Sequence, residues 1–90
     1  MPQAVVDPEE LRQFARALKK FNNDLREHAA ALGGRLATLN TSWRDQEQRK
    51  FVEMFEQQMA AIARFSDAVD EYVPYLMRKA GHIDDYLQSS

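Results

Sequence analysis

The fold of this chain is decided by residues 39–45, which read Leu-Asn-Thr-Ser-Trp-Arg-Asp. This short polar stretch separates two long segments in which apolar residues recur with a helical period. Asn, Thr and Ser favour helix starts because their side-chain oxygens accept hydrogen bonds from the unpaired amides of a first turn, and Asp45 suits the positive end of a helix dipole. The stretch predicts the bend of a helical hairpin at residues 40–42, with the only tryptophan, Trp43, on its far side.

The segment before the bend predicts a helix over about residues 8–39. Asp7 suits the N-cap, Pro8 the first helical position, and Glu10 the position three residues after the cap. Apolar residues then follow a heptad pattern in two alternating series. The first series is Leu11, Leu18, Leu25, Leu32 and Leu39, and the second is Phe14, Phe21, His28 and Arg35. At Gly33 and Gly34 we expect a weak or kinked turn, which serves either close approach of a neighbouring helix or a hinge.

The segment after the bend predicts a second helix over about residues 43–87. Its seam advances in alternating steps of four and three, and further apolar residues flank it on both sides, so that the stripe can contact more than one neighbour. The seam consists of Phe51, Phe55, Gln58, Ile62, Phe65, Val69, Tyr72, Leu76, Lys79, Ile83 and Tyr86. Pro74 predicts a kink near residues 70–74 because it lacks an amide hydrogen. An alternative interpretation makes residues 75–87 a separate third helix.

Folding the chain back at the bend predicts which residues oppose each other. Leu32 is expected near Phe51 and Leu11 near Tyr72, so the first helix would end where Pro74 appears. Apolar residues beyond Pro74 would then lack a covering helix, and a second subunit would supply one. We therefore predict a single all-α domain over residues 1–90, a two-helix antiparallel hairpin that dimerises into a four-helix bundle. The partner is either a second copy or a related small hairpin protein.

The composition limits the classes of partner and the route of the chain. A 90-residue chain is small for a self-sufficient core, which also favours a partner. The net charge of -2, with cations and anions interleaved, argues against nucleic acid. No apolar run approaches the length of a membrane span, and the N-terminus lacks the features of a signal peptide. We expect a protein made in the cytoplasm, not inserted in a membrane, and secreted, if at all, without a cleavable signal peptide.

The single tryptophan at the bend, followed eight residues later by Phe51, gives the chain a family resemblance. A chain of this length with Trp43 so placed resembles the WXG family of small type VII secretion substrates, the early-secreted-antigen-like proteins. The resemblance implies helical hairpins that pair into homodimeric or heterodimeric four-helix bundles. It also implies export by a membrane ATPase, either alone or as an escort of a larger effector.

The sequence departs from the family pattern in two ways. Because of them, the fold and the dimer carry over from the resemblance better than export does. The sequence has Asp45 where the family has the glycine of Trp-x-Gly. The family's Tyr-x-x-x-Asp/Glu export signal is missing, because the residues four positions after the tyrosines are Leu76, Lys79 and Ser90. The resemblance still implies that Trp43 belongs to a recognition surface at the bend. A tail from another chain would form the second part of that surface.

The candidate site residues form two groups. The first is a partner-recognition group at the bend, for which the alternative is that the indole only caps the hairpin. The second is the seam, expected to form the core or the dimer contact, with the phenylalanines assigned to the core. The bend group is Trp43, Arg44 and Asp45. The seam group is Leu11, Phe14, Leu18, Phe21, Leu25, Leu32, Phe51, Phe55, Ile62, Phe65, Val69, Tyr72, Leu76 and Ile83.

The remaining polar residues do not indicate catalysis or a metal. His28 is expected to pack against Phe55, and Gln58 to set register in the seam. His82 and Asp85 would supply only two ligands, too few for a metal site. The sequence contains no nucleophile elbow, phosphate loop or zinc spacing, so we expect no enzyme and no cofactor.

Three hypotheses of function follow. The first is an interaction protein that dimerises and acts as a WXG-like type VII secretion substrate or escort, with a secretion ATPase or a larger effector as further partners. The second is an intracellular structural or adaptor coiled coil without a secretion role. The third is a filament or needle-type subunit, which requires head-to-tail surfaces that do not close into a ring.

Overall fold

The computed structural model describes residues 6–89 and shows two long helices joined by one bend. Helix α1 spans Pro8–Leu39 and helix α2 spans Gln46–Ser89. They run antiparallel and pack along their length, giving a rod of 67 × 24 × 15 Å. No strand occurs within residues 6–89. The predicted all-α antiparallel hairpin is confirmed.

Helix α1 begins as its first residues dictate. The Asp7 side chain accepts a hydrogen bond of 2.8 Å from the backbone amide of Glu9, and Pro8 occupies the first turn, where a missing amide hydrogen has no cost. Glu9 and Glu10 place negative charge at the positive end of the helix dipole. This local chemistry fixes where α1 starts. Which side of α1 faces α2 is decided by the packing between the two helices.

The bend is longer than the sequence indicates, because α2 begins at Gln46 and not at Trp43. The Thr41 and Ser42 hydroxyls donate to the carbonyls of Thr38 and Leu39, so these residues end α1 and do not start α2. Asp45 starts the second helix, since its carboxylate accepts the Gln48 amide at 2.9 Å.

This longer bend shifts the register of the two helices. Polar contacts hold them together at three levels, joining Arg12 to Asp84, Asn22 to Asp70, and Asn40 to Gln48. Helix α1 therefore covers α2 as far as Asp84, well beyond Pro74. The expected placement of Leu11 near Tyr72 is wrong, as is the placement of Leu32 near Phe51. The expected uncovered overhang beyond Pro74 is wrong for the same reason.

Small residues line the closest contact between the helices. Ala15 and Ala80 are fully buried, and Val69 is 5% exposed. Small side chains let two helices approach closely, and larger residues then pack beside that contact. Leu11, Leu18 and Leu25 from α1 are half-buried there, as are Phe55, Ile62, Leu76 and Ile83 from α2.

Helix α2 continues without interruption through Pro74, so the alternative of a separate helix over residues 75–87 is wrong. The bend of its axis near residues 70–74 stays a prediction. Helix α1 is likewise continuous through Gly33 and Gly34. A Cβ atom at either glycine would meet no atom within 4 Å, so neither glycine is needed to admit α2.

Candidate partner-binding face

One side of the hairpin carries a stripe of exposed aromatic and aliphatic side chains from both helices, here called the aromatic face. Phe21 of α1 and Phe65 of α2 join across the helices, edge to face, with ring centroids 6.3 Å apart. The face is therefore continuous from one helix to the other. Its members are Phe14, Phe21, Leu32 and Leu39 from α1, and Phe51, Met54, Phe65, Tyr72 and Tyr75 from α2.

These exposures correct the assignment of the phenylalanines to the core. Phe14 is 58% exposed and Phe21 is 53% exposed, and Phe51 and Phe65 are also exposed. Each predicted seam consists of two series with a spacing of seven, and in α1 the leucine series is half-buried only as far as Leu25, while Leu32 and Leu39 are exposed. In α2 the series Phe55, Ile62, Val69, Leu76 and Ile83 faces α1. The series Phe51, Gln58, Phe65, Tyr72, Lys79 and Tyr86 is exposed.

Two polar residues of the seam lie in the exposed series as well. His28 is exposed on α1 and Gln58 is exposed on α2, and the packing of His28 against Phe55 stays a prediction. Neither residue therefore fixes the register of α1 on α2. Their places in the exposed series leave both available to a second chain.

The aromatic face carries rings along the length of the hairpin. Phe14, Tyr72 and Tyr75 lie away from the bend, where Tyr72 and Tyr75 pack edge to face at 6.1 Å. Phe21 and Phe65 lie near the middle of the two helices. The part toward the bend carries Leu32, Leu39, Phe51 and Met54.

At the bend, three aromatic rings stack in a row. Trp43 lies 5.9 Å from Phe51, and Phe51 lies 6.0 Å from Phe55, between ring centroids. Trp43 is half-buried, so one part of the indole packs on the hairpin and the rest faces outward. Arg44 and Asp45 beside it are exposed, and Asp45 is engaged in capping α2. The three predicted recognition residues are thus adjacent at one end of the rod.

The opposite side of the hairpin, here called the ion-paired side, is built from charged residues of both helices. Arg26 donates to both carboxylate oxygens of Asp70, at 2.6 and 3.3 Å. Arg12 donates to one carboxylate oxygen of Asp84 nearer the ends of the helices. The Arg26 guanidinium is the main cause that lowers the pKa of Asp70 below its ordinary value. These pairs satisfy cations within the hairpin and leave this side without a large apolar patch.

Beneath the ion pairs lies a buried polar contact that the sequence analysis missed. Asn22 and Ser66 are each 2% exposed. The Asn22 amide nitrogen donates to the Ser66 carbonyl and to the Asp70 carboxylate, each at 3.2 Å. Among residues 6–89, no hydrogen-bond partner meets the Asn22 Oδ1 or the Ser66 Oγ. The available signal was that Asn22 lies one heptad after Ala15, and that Ser66 lies one heptad from Met59 and from Val73, midway along each helix.

Within the part of the chain that is described, no three His, Cys, Asp or Glu side chains group together as metal ligands would. No helix over residues 6–89 is apolar enough for long enough to cross a membrane. The exposed aromatic face and the stacked bend are therefore the features that a function has to explain.

Comparison with known proteins places the chain in a family. Residues 3–86 match the family model of WXG100, described as proteins of 100 residues with WXG. The chain belongs to the WXG100 family. No match was found among curated proteins.

Solved structures show the same fold. The chain is similar to the secreted protein EsxB of Bacillus anthracis strain Sterne, with a TM-score of 0.73 and 24% identity to the wild-type form. That match covers 91% of this chain and 94% of the other. A selenomethionine-labelled form of EsxB matches with a TM-score of 0.74 and 23% identity, over 96% of this chain and 98% of the other. The hairpin is thus the fold of this family.

Proposed function

We propose that this protein is an interaction module that pairs through its aromatic face with a second hairpin, most simply another copy of itself, to form a four-helix bundle. The observation that carries the proposal is the set of large apolar side chains exposed on one side of the rod. An isolated chain would leave this contiguous apolar surface in water, and surfaces of this kind mark sites of protein association. It acts by binding and not by catalysis.

We further propose that the paired hairpins are a substrate or an escort of type VII secretion. The support is membership of the WXG100 family and the fold shared with EsxB, which is described as a secreted protein. Trp43, Arg44 and Asp45 at the bend then form the surface that a secretion ATPase or a larger effector recognises. Tyr72, Tyr75 and Tyr86 are not followed four positions later by Asp or Glu, and in the escort role we propose that a partner chain carries the Tyr-x-x-x-Asp/Glu signal.

The substitution Trp43→Ala tests the recognition role separately from the pairing role. The indole packs on Phe51, and losing an aromatic pair costs about 1 kcal/mol, so the variant keeps its helices. We expect unchanged helicity by circular dichroism, unchanged mass by light scattering, and loss of export from cells that carry the secretion machine. Loss of the dimer or of helicity would show instead that Trp43 only caps the hairpin.

A matched control keeps the result interpretable. Lys50→Ala alters an exposed residue near the same end of the rod that belongs neither to the aromatic face nor to the bend group. Export should survive this change. If wild-type protein is never exported while it remains a stable dimer, the intracellular adaptor hypothesis replaces the secretion role. Open-ended polymers in light scattering would support the filament hypothesis.

A further inference from the structure

The residues between the two helices lie directly beside a second set of residues through which the helices can pack. At the centre of the rod, the buried Asn22 directly follows the exposed Phe21 in α1. The buried Ser66 follows the exposed Phe65 in α2 in the same way. One residue along an α-helix corresponds to a turn of about 100° around its axis. Rotating the two helices by about this angle, in opposite senses, would exchange the buried polar pair for the aromatic pair.

The apolar residues next to these positions belong to both arrangements. Leu18 lies three residues before Phe21 and four residues before Asn22, so it is a neighbour of both on the helix surface. Val69 has the same relation to the corresponding positions of α2. The rotation would therefore keep one apolar series of each helix in contact. In α1 the large series Phe14, Phe21 and His28 would replace the small series Ala15, Asn22 and Ala29.

The rotated arrangement has both a gain and a cost. It would bury the rings of Phe14 and Phe21, which are now more than half exposed, and burial of large apolar side chains is the main driving force of folding. It would also turn His28 and Gln58 inward, and burial of polar groups opposes that gain. Because the two effects oppose each other, a local polar contact can decide which series faces inward.

Such a contact holds the observed arrangement. The Asn22 amide nitrogen donates to the Ser66 carbonyl and to the Asp70 carboxylate, each at 3.2 Å. Arg26 donates to the same carboxylate at 2.6 and 3.3 Å, so Asp70 accepts hydrogen bonds from two residues of α1. Both donors lie on the side of α1 away from Phe21. A rotation that brings Phe21 inward would carry them away from Asp70.

We propose that Asn22, Arg26 and Asp70 form a polar lock, which keeps the small residues between the helices and the aromatic face turned outward. Without the lock, the helices rotate and the chain buries its own rings. The consequence for pairing rests on the proposed function, because a chain with inward rings has no aromatic face to offer to a second copy. The rotation is a property of the single chain and is measured separately.

The substitution Asn22→Asp tests the polar lock in the full chain. It keeps the size of the side chain, removes the amide donor and places a second carboxylate against Asp70, and like charges in one site repel. Exposure is measured by NMR from the broadening of side-chain signals by a soluble paramagnetic agent. The Ala15 and Ala80 methyl groups are buried in the wild type, and we expect their signals to broaden in the variant. The Phe21 ring should stay protected and the helicity unchanged, while dimer affinity falls at least tenfold.

The matched control is Asn23→Asp, which makes the same chemical change at the next residue, where the side chain is exposed. It should behave as the wild type does. A rescue variant combines Asn22→Asp with Asp70→Asn, so that the amide and the carboxylate exchange places. In this double variant the Ala15 methyl should be buried again and the dimer affinity restored.

The outcomes separate the polar lock from the proposed pairing. An Ala15 methyl that stays buried in the Asn22→Asp variant would overturn the lock, whether or not the chain pairs. Loss of helicity, with methyl and ring signals both exposed, would also overturn it, because the contact would then only stabilise the hairpin. Rotation in the Asn23→Asp control would do the same. A wild-type chain that stays monomeric would overturn the pairing alone, since the methyl signals still report the rotation.

Discussion

The aromatic face and the ion-paired side of this hairpin are built on the same two helices, yet they differ in what they leave unsatisfied. On the ion-paired side, Arg26 and Asp70 neutralise each other across the helices. On the aromatic face, Phe21 and Phe65 touch each other and still expose about half of each ring. The difference teaches that the single chain pairs charges across its helices on one side and leaves large apolar side chains exposed on the other, where the proposed second chain would bind.

The largest effect is expected from placing a charge in the aromatic face. The substitution Phe21→Asp would bury an unpaired carboxylate in the contact between two chains, which is strongly unfavourable. We expect dimer affinity to fall on the order of a hundredfold or more, measured by analytical ultracentrifugation over a range of concentrations. Circular dichroism of the variant checks that the helices persist.

The control for this change lies on the other side of α1. Ala30 is exposed, away from the aromatic face, and a new aspartate there lies one turn from Arg26. Ala30→Asp should therefore leave the dimer intact. If the Phe21→Asp and Ala30→Asp dimers dissociate equally, the aromatic face is not the surface through which the chain pairs.

A smaller and opposite effect is expected at the buried polar contact between the sides. Ser66→Ala removes a buried hydroxyl that finds no partner in the described part of the chain, and it replaces serine with a better helix former. We expect the free energy of unfolding to rise by about 1 kcal/mol, measured by chemical denaturation of samples at equal concentration. A fall of similar size would show that the hydroxyl is bonded in solution.

The smallest effect is the pH dependence contributed by the ion-paired side. Because Arg26 lowers the pKa of Asp70 in the folded chain, this carboxylate contributes stability above its unfolded pKa. That contribution is lost as the pH falls through the lowered folded value. Asp70→Asn should therefore flatten the acid limb of the stability curve below about pH 4, measured by thermal unfolding across pH.

Asp67 offers the matched comparison for this pH effect. It also approaches Arg26, but at a longer distance of 3.6 Å and with a side chain that is 82% exposed. Asp67→Asn should retain most of the wild-type slope. If the two variants flatten the acid limb alike, the close pairing of Arg26 with Asp70 is not the source of the effect.

The comparison also explains what the sequence could and could not predict. The start of α1 and the existence of the bend depend on local chemistry at Asp7, Pro8 and Asp45, which can be read directly. The register depends on the length of the bend. Thr41 and Ser42 are equally suited to starting a helix and to ending one, and only the folded chain shows that they end α1.

The identity of the core could not be read from residue size. The sequence analysis assigned the largest side chains to the core, whereas the helices meet on Ala15, Asn22, Ser66 and Ala80. Each helix has an apolar stripe with two series, and periodicity alone does not say which series faces the other helix. The small residues decide it, because only they allow the close approach of the two backbones.

The solution mass of the purified chain tests the central claim most directly. The account predicts a helical species of twice the mass of one chain, measured by light scattering together with circular dichroism, because the aromatic face is covered by a second copy. A chain of poor helicity at the mass of one copy would direct the search to a different hairpin partner. A fully helical monomer that persists at high concentration would contradict the claim that the aromatic face needs a second chain.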